Sequence, residues 1–168
     1  MRFALLLLIA LTMVSCAGYR LGGAKPPSLA GVKTIAVPMF SNGTQEPRAE
    51  ALATTAVTDA LVLDGTYRLA GRDGADAVLE GSLASIRYST LRSSRLDSLL
   101  AEELTNEVRI SWTLRDAKDP AKILASGSST GHSSFFADSN LQTARRNALP
   151  DAFGRAGRNL VSSLSSGF

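Results

Sequence analysis

The chain has 168 residues, of which 45% are hydrophobic and 20% are charged, and its formal net charge is +3. This length suits a single domain with a buried core. The nearly balanced charge and the low aromatic content, 6% of the chain, argue against a nucleic-acid partner, which would need a clustered basic face or a stacking platform.

Residues 1–15 have the pattern of a bacterial secretion signal. Arg2 gives a positive charge, residues 3–14 are almost entirely apolar, and the small Ser15 precedes the only cysteine, Cys16. An apolar run of about 12 residues is too short to cross a bilayer, which takes about 20. We therefore predict a lipoprotein signal peptide over residues 1–15.

Cys16 is the predicted site of lipidation, because a cysteine at the cut point takes up fatty acyl chains such as palmitate. Several acyl chains on one residue are enough for stable membrane attachment. An ordinary cleavage site that discards the cysteine and a thiol without a role are the alternatives. Ala17 is not the Asp that retains many such lipoproteins at the inner membrane. The sequence therefore favours an anchor in the outer membrane.

Residues 16–31 are rich in glycine and proline and are predicted to tether the lipid to a single domain over residues 32–168. The β-branched run 34–38 predicts the first strand of this domain, and Asn42-Gly43-Thr44 predicts the turn that closes it. Apolar residues then follow helical spacing over residues 46–64.

The first helix should have Pro47 in its first turn and Gly65 just after its end. A short strand over residues 67–70 follows, and the order strand, helix, strand predicts a parallel crossover. A long strand begins at Ala77, and a change of apolar parity predicts a bulge near Ala84-Ser85.

The next strand is the clearest, because four apolar residues alternate with polar ones: Val108, Ile110, Trp112 and Leu114. Residues 123–136 predict a weaker strand that is rich in serine and glycine. A second helix is predicted over residues 140–164, with Ser139 in a capping box and Pro150 inside. The predicted fold is α+β: a two-layer sandwich in the order β-α-β-β-β-β-α, with a mixed sheet of four to five strands and two helices on one face.

Residue types that serve catalysis are scarce. The chain has one histidine, His132, and its one cysteine is the predicted lipidation site. The one Gly-x-Ser-x-Gly spacing, at residues 127–131, lies inside the strand predicted over residues 123–136 and not at a strand-to-helix turn. A His/Cys metal site lacks ligands. The segment 73–76 lacks the later acidic ligands of a calcium loop, so we interpret it as a turn. The sequence therefore predicts no enzyme, no catalytic residue, no metal and no cofactor.

Three segments resemble the LptE family of outer-membrane lipopolysaccharide-assembly lipoproteins. They are CAGYRLGG at residues 16–23, VKTIAVPMFSNGT at residues 32–44 and ADAVLEG at residues 75–81. The resemblance runs from Cys16 almost to the C-terminus, although the second half matches in layout only. The family usually has Gly-Tyr directly after its cysteine, whereas Ala17 intervenes here.

This resemblance implies a non-enzymatic subunit that sits in the lumen of a large outer-membrane β-barrel, LptD, as plug and folding partner, and that helps deliver lipopolysaccharide to the outer leaflet. Lipopolysaccharide carries phosphates, which arginine binds well. The candidate contacts are Arg87, Arg92, Arg95 and Arg109, in and around the connection over residues 91–104. Solvated charges without a role are the simpler interpretation of these arginines.

Two other functions stay open at this point. A regulatory lipoprotein of cell-wall synthesis would need a long tether, and residues 18–30 span at most about 40 Å. An oligomeric secretion lipoprotein of similar layout would form a ring-sized particle. Leu96, Leu99, Leu100 and Leu104 are unusual for an exposed connection and predict either a short helix or contact with a partner.

Overall fold

A computed structural model describes residues 25–92, 103–136 and 140–167. The described part of the chain forms a six-stranded mixed sheet and two α-helices. In chain order the elements are β1 (Thr34–Ala36), β2 (Ser41–Asn42), α1 (Ala49–Asp64), β3 (Arg68–Leu69), β4 (Ala77–Arg92), β5 (Glu103–Asp116), β6 (Ile123–Phe136) and α2 (Leu141–Ser166). The predicted α+β class and the mixed sheet are confirmed, and β2 is a strand that the sequence did not predict.

The strands lie in the order β3-β1-β4-β5-β6, and β2 also pairs with β4. β1 pairs in parallel with β3 and with β4, as expected for a strand–helix–strand crossover. β4, β5 and β6 form an antiparallel meander along almost their whole lengths. The predicted bulge is confirmed, because the register of β4 against β5 shifts between Leu83 and Ser85.

β5 confirms the predicted alternation: Val108, Ile110, Trp112 and Leu114 are buried. Their side chains point to the face of the sheet that the helices cover. The Trp112 indole is 3% exposed, and its Nε1 donates a hydrogen bond of 3.2 Å to the Ser129 hydroxyl on β6. The largest fully buried side chains come from both layers: Ile35, Leu61, Leu79, Leu83, Ile110, Leu114, Leu149, Phe153, Leu160 and Leu164.

Glycines allow α2 to approach its neighbours closely. A β-carbon added to Gly131 of β6 would lie 2.0 Å from the Ala152 carbonyl oxygen of α2. A β-carbon added to Gly157 of α2 would lie 2.7 Å from the Ala56 carbonyl oxygen of α1. The backbone of α2 therefore rests almost directly on β6 and on α1, and any side chain at these two positions would force the elements apart.

α1 begins three residues later than predicted, and Pro47 lies before the helix rather than in its first turn. Arg48 is the N-cap and has a left-handed φ of 64°. The side-chain amide of Asn42 donates to the Glu46 backbone carbonyl at 2.9 Å. This bond holds residues 42–46, just before the helix, in a turn. Gly65 ends the helix with a φ of 71°, as predicted.

α2 is capped by Asn140, whose side chain accepts a hydrogen bond of 3.1 Å from the Thr143 amide. The predicted capping residue, Ser139, lies outside the described residues, and the cap falls one position later. The helix continues through Pro150 to Ser166, because its final turn still contacts the core.

The segment before β1 packs at one end of the sandwich. Pro27–Leu29 forms a 3-10 turn, and Leu29 is 1% exposed within the core. The Lys25 ammonium lies 4.4 Å from the centroid of the Tyr67 ring, and the Tyr67 hydroxyl donates to the Leu164 carbonyl at 2.7 Å. The entry of the chain into the domain and the last turns of α2 therefore meet at this end. The paired strand ends Arg92 of β4 and Glu103 of β5 lie at the opposite end.

Residues 25–31 of the predicted tether thus lie against the domain. The predicted signal peptide, residues 1–15, and the predicted lipidation site, Cys16, fall outside the described residues. Among the helices that the structure describes, none is both long and apolar enough to cross a membrane.

Candidate functional site

The face of β4, β5 and β6 opposite the helices is covered with hydroxyl side chains. The registers place these residues in neighbouring rows, such as Ser82, Ser111 and Ser128. About half of the residues on this face are serine or threonine: Ser82, Ser85, Ser89, Thr105, Ser111, Thr113, Ser126, Ser128, Thr130 and Ser134. No described helix covers it. We call these residues, with the charged residues of the same three strands between them, the open face.

One row of the open face carries charge. Arg87 on β4 stands opposite Glu107 on β5, and Glu107 stands opposite His132 on β6. The Nδ1 atom of His132 lies 3.9 Å from the Glu107 carboxylate. Arg109 pairs with Ser85 and Thr130 in the next row of the same face. A band of two cations, one carboxylate and one imidazole therefore crosses the middle of the open face. A separate ion pair, Arg115 with Glu80 at 3.0 Å, lies nearer the start of β4 on the same face.

The structure brings together two of the four predicted lipopolysaccharide contacts. Arg87 and Arg109 are both exposed on the open face, as diagonal neighbours on adjacent strands. Arg92 is the last residue of β4 and pairs with Glu103. Arg95 lies outside the described residues. The two described guanidinium groups can offer several N–H donors to a phosphate or carboxylate.

The connection between β4 and β5 is shorter than the predicted range of 91–104. β4 extends to Arg92 and β5 begins at Glu103, so only residues 93–102 connect them. Leu104 belongs to β5 and is 8% exposed, so its side chain packs on the face of the sheet that the helices cover. Leu96, Leu99 and Leu100 lie outside the described residues.

A shallow depression of about 520 Å³ lies on the open face where the three strands carry their smallest residues. Its lining includes the hydroxyls of Ser82, Ser111 and Ser126, and the glycines Gly81 and Gly127. Each hydroxyl can both donate and accept hydrogen bonds. The depression therefore offers several hydroxyl groups to a polar partner.

A second groove, of about 480 Å³, lies beside β4 beyond the bulge, between Ser85, Tyr88 and the turn over residues 43–46. The Arg145 guanidinium lies 4.5 Å from the centroid of the Tyr88 ring, and Arg146 pairs with Glu46 at 3.6 Å. Burial and the nearby Glu46 raise the pKa of Tyr88. Arg145 is therefore held against the sheet, whereas the Arg146 side chain stays 69% exposed.

The start of α2 is tied to the sheet near this groove. Asn106 is fully buried, and its side-chain amide donates to the Arg145 carbonyl at 3.3 Å. The Ser133 hydroxyl donates to the Ala148 carbonyl at 2.7 Å. One sequence feature indicated that Tyr88 faces the helices. Tyr88 lies two residues after Ile86, so both side chains are on the same side of β4, and the bulge turns that side towards the helices.

The described residues contain no group of three or more His, Cys, Asp or Glu side chains that could hold a metal ion. The His132 side chain is 55% exposed and faces Glu107.

Comparison with known families gives one match. The model of the LptE family, described as lipopolysaccharide-assembly, matches residues 32–164. This range covers the whole domain from the residues before β1 to the final turns of α2. No curated protein sequence matches the chain.

Several solved structures share the fold. A minor lipoprotein from Acinetobacter baumannii is 10% identical, with a TM-score of 0.53, over 79% of this chain and 91% of that one. A protein from Caulobacter crescentus, described as a candidate lipoprotein, is 16% identical with a TM-score of 0.51 over 75% and 87%. A protein from Xanthomonas campestris is 14% identical with a TM-score of 0.50 over 83% and 87%. At these identities the likeness concerns the fold alone.

Proposed function

Because the chain belongs to the LptE family of lipopolysaccharide-assembly proteins, we propose that it is the plug and scaffold subunit of a lipopolysaccharide translocon in the outer membrane. In this role it occupies the lumen of an LptD-type β-barrel, helps that barrel to fold and helps deliver lipopolysaccharide to the outer leaflet. The role requires no catalytic residue and no cofactor.

The open face is the observation that carries this proposal. A barrel lumen is polar, because the side chains that point inward alternate with those that point to lipid. A plug must therefore present polar groups to the wall while it keeps its own small core. Three long strands here bury apolar residues under the helices and present rows of hydroxyls outward. Hydroxyls can pair with either donors or acceptors of a wall without burying an uncompensated charge.

The arginines of the open face support a contact with lipopolysaccharide. Arg87 and Arg109 are exposed and adjacent, and guanidinium groups form charge-assisted hydrogen bonds with phosphate. Glu107 and His132 lie beside them, so the site also contains a carboxylate and an imidazole. Arg92, the last residue of β4, and Arg95, which lies outside the described residues, complete the proposed set.

Lipidation of Cys16 supplies the proposed membrane attachment, and Ala17 after it supports an outer-membrane destination. Residues 16–24 connect the lipid to the described domain and can extend over about 30 Å. This reach allows the domain to enter a barrel while its acyl chains stay in the bilayer.

The test is co-purification of the full-length protein from outer membranes solubilised in a mild detergent, with the partner identified by mass. We expect a barrel of the LptD type in a one-to-one complex, and incorporation of radiolabelled palmitate that the Cys16→Ser variant loses. A Cys16→Ser chain that still carries palmitate contradicts the anchor. Wild-type protein that is recovered alone, without any barrel, contradicts the plug.

A further inference from the structure

The exposed side of α1 changes from polar to apolar at the end of the helix. Thr55 and Asp59 are exposed, and the next residues on the same side, at helical spacing, are Val62 and Leu63. Val62 is 64% exposed and Leu63 is 82% exposed. A helix that packs on a core needs only one apolar side. The final turn of α1 therefore carries more apolar surface than its packing requires.

A groove of about 300 Å³ adjoins this turn, between the ends of α1 and α2. Its lining includes three apolar side chains, Ala60 and Leu63 of α1 and Val161 of α2. Single exposed apolar residues are normal on a protein surface, whereas contiguous ones mark contact with a partner or a membrane. We call Val62 and these three residues the end patch.

The end patch lies where the N-terminal segment enters the domain. Tyr67 follows α1 by three residues, and its ring contacts the Lys25 ammonium at 4.4 Å. Its hydroxyl donates to the Leu164 carbonyl, beside the groove residue Ser165. Burial and the nearby carboxylate of Asp64, which also lines the groove, raise the pKa of Tyr67 to about 12. Lys25, the first described residue, is therefore a neighbour of the end patch.

This position brings the end patch close to a bilayer. Cys16 is nine residues before Lys25, and that length of chain spans at most about 30 Å. Acyl chains on Cys16 would hold this end of the domain within that distance of the membrane surface. The head-group region accepts the apolar face of an amphipathic helix, so exposed valine and leucine side chains at this end have a matching environment within reach.

The charges around this end do not form a basic surface. Asp64 and Arg158 both line the groove. In the turn between β5 and β6, Lys122 pairs with Asp116 at 3.6 Å. Attraction to anionic lipid requires a cluster of cations. Burial of apolar side chains, and not attraction between charges, is therefore the driving force available here.

We propose that the end patch is a membrane-contact surface, with Val62 and Leu63 in the head-group region beside the acyl chains of Cys16. This contact rests on the lipid anchor of the proposed function, and it applies to protein that has not yet joined a barrel. It gives the anchored domain a fixed orientation, because the opposite ends of the long strands then stand away from the lipid.

Fluorescence quenching of the full-length lipoprotein in vesicles tests the contact. Acylation consumes the thiol of Cys16, the only cysteine, so Leu63→Cys introduces a single site for a nitrobenzoxadiazole dye. The vesicles contain phosphatidylcholine and phosphatidylethanolamine, without anionic lipid, and carry nitroxide groups on some head groups. We expect dye emission at shorter wavelength in vesicles than in detergent-free buffer, and strong quenching by the nitroxide.

Phe136→Cys is the matched control, because Phe136 is also a large apolar residue, 64% exposed. It lies at the far end of β6, about 45 Å along the strand from Ile123. We expect quenching several-fold weaker at position 136 than at position 63. Asp59→Cys, one helical turn before Leu63, controls for insertion driven by the dye itself and should also be quenched less than position 63.

Flotation of the same samples with the vesicles reports on the anchor separately. Equal quenching at positions 63 and 136 in protein that floats overturns the membrane contact and leaves the anchor intact. Quenching at position 63 that disappears at high salt assigns the contact to charge and also overturns the proposal. Protein that does not float contradicts the anchor and, with it, this contact.

Discussion

Thr34 and Asp76 bond to each other in both directions. The Asp76 carboxylate accepts from the Thr34 amide at 2.9 Å and from the Thr34 hydroxyl at 3.0 Å. The Asp76 amide in turn donates to that hydroxyl at 3.0 Å, and Lys33 adds a further amide donor at 2.9 Å. Two of the segments that resemble the LptE family, residues 32–44 and 75–81, are thus joined at the start of β1 and β4.

The hydrogen bonds to the Asp76 carboxylate predict that the free energy of unfolding depends on pH. Hydrogen bonds from the backbone of Lys33 and Thr34 lower the pKa of Asp76. The stabilisation is therefore complete above the carboxyl's ordinary pKa of about 3.8 and is lost as the pH falls through the lower folded-state value. We expect Asp76→Asn to lower the free energy of unfolding at pH 7 and to lose part of this dependence below pH 4. Urea unfolding at both pH values measures it.

Asp59→Asn is the matched control, because Asp59 is exposed on α1. Some acid sensitivity should remain in Asp76→Asn, since the backbone amide of Lys118 also lowers the pKa of Asp116. Equal loss of stability in the Asp59 and Asp76 variants would contradict the role assigned to the bonds with Thr34.

Gly131→Ala should destabilise the contact between β6 and α2. The added methyl group would meet backbone atoms of Ala152 and Ala156 at 2.0 and 2.4 Å, and backbone cannot rotate away. Overpacking of this kind lowers stability by about 1–3 kcal/mol or more. Thermal unfolding followed by circular dichroism measures the loss. Gly71→Ala is the control, because Gly71 has a φ of −66° and open space around it, and it should be neutral or slightly stabilising.

Ser129→Ala should leave the buried Trp112 indole N–H without its hydrogen-bond acceptor. An unsatisfied buried donor lowers stability by about 1–3 kcal/mol. Ser128→Ala, one residue away on the exposed face of β6, should change stability by less than about 0.5 kcal/mol. Denaturant midpoints of the two variants give the comparison, and identical midpoints would show that the bond to Trp112 contributes nothing.

The double variant Arg87→Gln/Arg109→Gln should bind lipopolysaccharide at least roughly tenfold more weakly, since hydrogen bonds to charged groups contribute about 1.5–3 kcal/mol each. Surface plasmon resonance on immobilised lipopolysaccharide at two salt concentrations measures the change. Arg155→Gln/Arg158→Gln removes the same charge from exposed positions of α2. If both double variants weaken binding equally, net charge and not the open face governs it.

The sequence predicted the elements whose patterns are local. The alternation in β5 placed Trp112 and its neighbours in the core, and the stripe of small apolar residues placed Ala53 and Val57 of α1 there as well. The bulge near Ser85 was also predictable, because an extra residue is what moves the apolar side chains of one strand from odd to even positions.

Features that depend on distant residues were not predictable. β2 is a two-residue strand that exists only because Ser82 and Leu83 offer it a partner. The start of α1 depends on the Asn42 side chain rather than on Pro47. The contact between Arg145 and Tyr88 joins residues far apart in the chain, and neither residue type signals the other. Of the candidate site, the sequence identified the arginines and a sheet face without helices, but not the register that places Arg87 diagonally beside Arg109.

Lys25, Tyr67 and Leu164 meet at one end of the domain, so the N-terminal segment leaves the domain at that end. Strands of the length of β5 and β6 extend over about 45 Å, so Arg92 at the end of β4 and Glu103 at the start of β5 stand roughly that far from the point where the N-terminal segment leaves the domain. A lipid on Cys16 would therefore be tethered at one end of the long strands, and the cationic band would cross those strands near the middle of β5.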